Sequence, residues 1–290
     1  MSKEKVFKIS DEEIKRMYLE GSSLNDIAKV AQDTKGVMAL RNRLIKLGID
    51  TTKDMRKYKY KISAACKKYS LNEHVFDSID TEEKAYWLGW LFSDGYNHNS
   101  KSQVALRVQE KDSEILYKFQ RFLQTNAPIH TYKKCMQDDK LQRNYSELSV
   151  CSPYFSDRLS KLGCVQAKTL VLEFPDIPSA LYQHFIRGYF DGDGCFSVTK
   201  RKDRKNSNSK IYQFNIVGME NVLLTIQDNI VQNTGVKKLP LKVRSGKKVL
   251  TLHYSGHNVC KKILDYLYDN ASIYLKRKHD KYCEYCISAE

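Results

Sequence analysis

Proline and glycine are scarce, at 5 and 13 of 290 residues, and no apolar run approaches the roughly 18 residues that a membrane-spanning helix needs. The first shortage, together with a hydrophobic content of 41%, excludes a disordered tail. The opening Met1-Ser2-Lys3-Glu4-Lys5-Val6 lacks the apolar stretch of a secretory signal, so a soluble, intracellular protein with no membrane partner is expected. Eight cysteines are scattered along the chain, and Cys283-Glu284-Tyr285-Cys286 has no second pair to complete a zinc site, only His279 nearby. All eight are read as reduced. At roughly 100 to 200 residues per domain, the length suggests about two domains.

Acids are also in short supply, with 34 Asp+Glu against 49 Lys+Arg for a formal charge of +15. The excess is localised. Lys53, Arg56, Lys57, Lys59, Lys61, Lys67 and Lys68 crowd residues 51–70 against the single acid Asp54. Lys200, Arg201, Lys202, Arg204, Lys205 and Lys210 face only Asp203, and Lys237, Lys238, Lys242, Arg244, Lys247 and Lys248 lie in a stretch without an acid. These segments carry the whole net charge and leave the rest slightly acidic, which suits a polyanionic partner.

Residues 1–50 carry helix signals. Ser10 caps a helix that opens with Asp11-Glu12-Glu13 and closes at Gly21, and Ser23 caps a second with Leu24, Ile27, Ala28 and Ala31 on one face. Thr34 caps a third with Val37, Leu40, Leu44 and Leu47 inward, ended by Gly48. Three short helices with a tight connection before the last resemble a helix-turn-helix module, in which Arg41, Arg43 and Lys46 would meet DNA. A plain three-helix bundle with a solvated basic face is the alternative. Residues 51–70, rich in Lys and Tyr and without apolar periodicity, read as a basic linker.

From residue 71 one long pattern occurs twice, over 71–175 and 176–290. The first pass reads as a helix over 82–94, then a strand with Val104, Leu106 and Val108 on one face and Gln103, Ala105, Arg107 and Gln109 on the other. A helix over 113–123, strands near 129–133 and 147–151, and a helix over 153–162 follow. The second pass gives a helix over 179–193, a strand with Tyr212, Phe214 and Ile216 inward, a helix over 221–232, strands near 241–244 and 250–254, and a helix over 258–268. The common order of helix, two strands, helix, two strands, helix predicts an α+β chain built by internal duplication.

Each pass opens on the same motif: Trp87-Leu88-Gly89-Trp90-Leu91-Phe92-Ser93-Asp94-Gly95 and Ile186-Arg187-Gly188-Tyr189-Phe190-Asp191-Gly192-Asp193-Gly194. A glycine inside a helix destabilises it by about 1 kcal/mol relative to alanine, so Gly89 and Gly188 at matching positions predict two helices packed backbone to backbone. Asp94 and Asp193 then emerge side by side, with Gly95 and Gly194 expected in the left-handed conformation that ends a helix. Two carboxylates added to two negative helix ends call for a cation. Magnesium, taking one or two carboxylates and the rest of its oxygens from water and phosphate, fits, with manganese as a substitute, and phosphodiester hydrolysis is the chemistry such a site performs. A calcium loop is excluded, because the sixth and twelfth positions from Asp191 are Phe196 and Lys202, where Gly and Glu are required.

From about Tyr69 to Tyr285, including Phe76–Tyr86 leading into the first motif, the sequence resembles the LAGLIDADG homing endonucleases in their single-chain, two-motif form. The resemblance implies αββαββα repeats related by a pseudo-twofold axis, with the motif helices packed at that axis. It also implies two antiparallel sheets forming a saddle on double-stranded DNA, preceded here by the small all-α segment. Asp94 and Asp193 would coordinate the metal, and a monomer would cut both strands of a long specific site, leave short 3′ overhangs and mobilise its own intron or gene. Its compartment would be the cytoplasm or whichever organelle holds the target DNA. The family places a basic residue just beyond the last helix of each repeat. Lys168 matches the first position and Lys278 the second, with Lys276 close enough to compete. Gln109, at a strand end, would be a further pocket residue whose counterpart, Val217 or Gly218, lacks its polarity. Arg107, Lys200, Arg201, Lys202, Lys242 and Arg244 lie in strand regions that would face DNA, the second repeat gripping the backbone more tightly than the first.

Two other functions suit the same chain. One is an RNA-binding maturase with intron RNA as partner, and the other is a DNA-binding regulator on an inert nuclease fold. Retention of both terminal acids, Asp94 and Asp193, favours the nuclease.

Overall fold

The structure is a computed structural model that describes residues 9–31, 37–49, 51, 68–98, 101–136, 139–165, 172–200, 210–243 and 249–287. The chain divides into two units, Met1–Ala65 and Cys66–Glu290.

The first unit holds α1 (Asp11–Leu19), α2 (Leu24–Val30) and α3 (Val37–Lys46). Ser10 Oγ accepts the Glu13 N–H at 3.2 Å, and Ser23 Oγ accepts the Asp26 N–H at 3.2 Å, so side-chain oxygens satisfy amides that the first turns leave unpaired. Ile14, Leu24, Ile27, Leu40 and Leu44 close a small core. Thr34 and nearly all of the basic linker lie outside the described residues.

The second unit contains two αββαββα halves. The first runs α4 (Glu82–Ser93), β1 (Gly95–His98), β2 (Gln103–Gln109), α5 (Glu114–Phe122), β3 (Ile129–Met136), β4 (Asp139–Cys151) and α6 (Pro153–Lys161). The second runs α7 (Tyr182–Asp193), β5 (Gly194–Lys200), β6 (Lys210–Gly218), α8 (Glu220–Thr234), β7 (Lys242–Val243), β8 (Leu250–Ser255) and α9 (His257–Tyr268), and a further helix, α10 (Lys276–Ile287), follows. The halves give two four-stranded antiparallel sheets with the same topology, β1-β2-β4-β3 and β5-β6-β8-β7.

Apolar residues on alternate strand positions, such as Leu106 and Leu148 in one sheet and Phe214 and Leu252 in the other, turn onto the helices. They join the motif helices in one continuous core. The opposite strand faces carry the exposed Arg107 and Gln109 in the first sheet and the exposed Lys242 in the second.

Three elements depart from the sequence reading. β1 and β5 were not distinguished from the Asp-Gly turns that precede them, because β1 buries the polar Asn97 and β5 alternates Cys195, Ser197 and Thr199 with few large apolar partners. α10 lacks an apolar stripe, and its buried side chains are Lys278 and Tyr285. Cys164, Cys195, Cys260, Cys283 and Cys286 are free thiols, whereas Cys151 is disulfide-bonded, against the expectation that all are reduced. Chain size argues against a need for disulfides but does not control which sulfurs the fold brings together. No helix among the described residues is long and apolar enough to cross a membrane.

Candidate functional site

The two motif helices meet along their glycines. A Cβ placed on Gly89 would lie 2.1 Å from Phe185 O and 2.8 Å from Tyr189 N, and one on Gly188 would lie 2.0 Å from Tyr86 O. These are backbone atoms that cannot step aside, so only glycine allows α4 and α7 so close. Further along, a Cβ on Gly192 would fall 1.9 Å from Ser93 Oγ and 3.4 Å from Asp94 Oδ2, so the C-terminal ends converge.

Asp94 is the C-cap of α4, its N–H donating to Trp90 O at 3.0 Å, and Asp193 is the last residue of α7. Both side chains reach the surface. Burial raises the pKa of the nearby Tyr189 phenol, and the negative charges of Asp193 and Asp94 add to the rise, so both carboxylates act on one interior group.

Gly95 and Gly194 do not adopt the left-handed conformation expected of them. Gly194 has φ −89° and ψ 163°, and Gly95 is absent from the positive-φ residues. Their requirement is steric. Each opens a strand that doubles back over the helix end, where a Cβ would sit 2.5 Å from Leu91 Cα or from Phe190 O.

The second motif helix carries a buried polar network that sequence reasoning missed. Asp191 accepts hydrogen bonds from Tyr86 OH (2.9 Å), Tyr268 OH (2.5 Å) and the Leu275 N–H (2.7 Å). Burial raises its carboxyl pKa, and the opposing charge of Lys278 lowers it. Arg187, fully buried, donates to Ile273 O, Leu267 O and Glu82 Oε1 at 2.9, 3.1 and 2.5 Å. Together they fasten the chain between α9 and α10 onto α7. The available signal was an Arg and an Asp inside an otherwise apolar helix, where unpaired charges do not persist.

That fastening gives the two C-terminal lysines different surroundings. Lys278 is 7% exposed and donates to Phe190 O, Asp191 O and Gly194 O at 2.5, 2.8 and 2.6 Å. All three of its N–H groups are thus spent on carbonyls around the end of α7, the negative pole of that helix. Burial lowers its pKa to about 8, with the Asp191 charge resisting the drop. Lys276 stands on the surface and pairs with Asp280 one turn along α10. Lys168 lies outside the described residues.

Strand register fixes which positions of the two sheets correspond. Gly95 pairs with Leu106 and Gly194 with Ile216, so Arg107 matches Val217 and Gln109 matches Met219, not Val217 or Gly218 as the sequence spacing suggested. Asp94, Gln109, Arg107, Glu147 and Arg277 line one cleft of about 700 Å³. Beside Gly194, Cys195 and Lys278 there is a recess of about 100 Å³.

The remaining basic candidates are dispersed. Lys242, opposite Thr251, shares the outward face of the second sheet, but Lys200 follows the parity of Phe196 and Val198 and so belongs to the other face. In the first unit Arg43 is paired with Asp11, Arg41 is half-buried and Lys46 is exposed. Arg201, Lys202 and Arg244 lie outside the described residues.

The chain resembles solved LAGLIDADG endonucleases. It is 13% identical to the meganuclease I-SmaMI bound to uncleaveable DNA, covering 69% of this chain and 88% of that one at a TM-score of 0.46. The I-LtrWI LAGLIDADG homing endonuclease bound to target DNA gives 12% identity, 71% and 90% coverage and a TM-score of 0.46. Full-length DUF199/WhiA from Thermatoga maritima gives 14% identity, 75% and 65% coverage and a TM-score of 0.44. At these values the likeness assigns no role to any residue. Reverse gyrase of Methanocaldococcus jannaschii is 26% identical over 183 residues, which is 59% of this chain and 10% of that protein. The chain thus spans about a tenth of the length of the curated relative it matches. No protein-family model matches.

Proposed function

We propose that this chain is a metal-dependent, site-specific DNA endonuclease of the LAGLIDADG homing type, cutting both strands of a long duplex target as a monomer and so mobilising its own intron or gene. The observation that carries the reading is the duplicated helix end, where Asp94 and Asp193 surface at two C-termini packed across glycine backbones. The donor set fits a divalent ion with open coordination. Two surface carboxylates sit at negative helix poles, and magnesium takes one or two protein carboxylates with the rest of its oxygens from water and phosphate. Asp94 and Asp193 would hold magnesium, or manganese in its place, and such an ion supplies the Lewis acidity that phosphodiester hydrolysis draws on.

The protein's own residues have distinct tasks in this reading. Glycine packing brings the acids together. Lys278, with its protons already committed to carbonyls, steadies the end of α7 beneath Asp193 and does not handle the nucleophile. Gln109 and Arg107 offer polar contacts beside Asp94. The first unit serves as a helix-turn-helix module with Lys46 toward DNA.

The test is selection of cleaved sites from a randomised duplex library with magnesium. A single long site cut in both strands, with cutting abolished by a chelator, is the expected result. A library left intact at every metal tried would overturn the reading. Removing residues 1–50 is expected to weaken site binding by roughly a hundredfold, as losing one of two linked modules does. Unchanged affinity would refute the role of the first unit.

A further inference from the structure

We propose that Arg107 recognises the major-groove edge of one guanine in the half-site covered by the first repeat, with Glu147 and Tyr132 holding it in aim. The inference deepens the endonuclease reading above and rests on it.

Arg107 on β2 stands directly across from Glu147 on β4. Its Nε and Nη2 both donate to Glu147 Oε2, at 2.8 and 2.6 Å. The Tyr132 hydroxyl donates to the same oxygen at 3.4 Å, and the Tyr132 ring centre lies 5.4 Å from the guanidinium carbon. Glu147 is the more enclosed partner, its side chain 20% exposed against 49% for Arg107, so the acid lies behind and the guanidinium in front.

Two consequences follow from that arrangement. Pairing with Glu147 offsets part of the guanidinium charge, which makes Arg107 a weaker backbone grip than an unpaired cation. The same pairing fixes the rotamer of Arg107, as planar, bidentate recognition requires.

Among the described residues nothing accepts from Nη1, so the end of the fork is open to two acceptors set side by side. In duplex DNA the O6 and N7 atoms of guanine present that pair in the major groove. The second repeat supplies an internal contrast. Val217 occupies the matching position, opposite Thr251, and has no donor to offer a base.

The whole 290-residue chain, its selected duplex site and single-base variants of that site provide the test. Wild type is expected to discriminate by about 5- to 150-fold at one G·C position of one half-site, and both Arg107→Lys and Arg107→Ala to lose that preference. Replacing that guanine by 7-deazaguanine, which lacks N7, should weaken wild type and leave the variants unchanged. Arg107→Lys should keep the dependence of affinity on salt.

A uniform loss on every sequence, with the salt slope reduced by about one in Arg107→Ala, would identify a phosphate contact and overturn the proposal. Unaltered affinity and preference in both variants would overturn it too. If wild type binds no duplex, the endonuclease reading and this inference fall together. Tight, site-specific binding without guanine dependence removes only the assignment of Arg107.

Discussion

The two motif helices have the same backbone task and meet it with different interiors. In α4 every residue from Ala85 to Phe92 is buried, and none is charged. Its end is held by apolar and neutral contacts. Phe92 lies under Gly163, Cys164 Sγ donates to Leu91 O at 3.4 Å, and Asn97 Nδ2 donates to Cys164 O at 2.8 Å. In α7 the positions of Leu88 and Phe92 are taken by Arg187 and Asp191, which together with Lys278 hold the following chain by charge-assisted hydrogen bonds. What the halves share is the glycine seam and the terminal acid. What differs is how the chain beyond each repeat is fastened, and a polar fastening tolerates the loss of a partner far less well than an apolar one.

The contrast can be broken most severely at the acids. Asp94→Asn and Asp193→Asn are each expected to slow double-strand cutting by at least about a thousandfold while sparing site binding. Cleavage and gel-shift assays on one duplex would check both. If only one variant loses activity, the halves differ in chemistry as well as in support.

Next comes Lys278→Met, which leaves the buried carbonyls of Phe190, Asp191 and Gly194 without their donor and removes the positive charge that acts on Asp191. A destabilisation of about 3–5 kcal/mol is expected in denaturant unfolding. Lys276→Met should leave the unfolding curve where it was, because that side chain is solvated.

Gly188→Ala and Gly89→Ala should each cost about 1–3 kcal/mol and act alike, since each inserts a methyl against facing backbone. A large difference between them, read from melting temperatures, would show that the seam is not symmetric. Lys242→Ala should have the smallest effect, a reduction of about one in the salt slope of DNA binding, with site preference intact.

Much of this was legible in the sequence. The glycine at the same place in two apolar helices pointed to backbone contact, and periodicity gave the order of helices and strands in both halves. The buried network was not legible. Asp191 sits in Asp-Gly-Asp-Gly, which reads as turn chemistry, and nothing local says that Tyr86, 105 residues away, will reach it.

The error at Gly95 and Gly194 has the same origin. A glycine after a helix usually signals a left-handed residue. Here it records a strand folding back, a tertiary fact. Register could not be read either, since it depends on which residue of β6 meets Gly194, and with it goes the match of Arg107 to Val217.

Ser93 and Gly192 share a space that accommodates one side chain. For a duplicated gene this couples the fates of two distant codons. Substitutions that enlarge position 192 are barred until position 93 has first been reduced to glycine, so the copies can drift apart elsewhere but must exchange bulk here in a fixed order. Lineages descending from the same duplication should therefore keep glycine at one member of this pair, and exchange which member it is only through Gly-Gly.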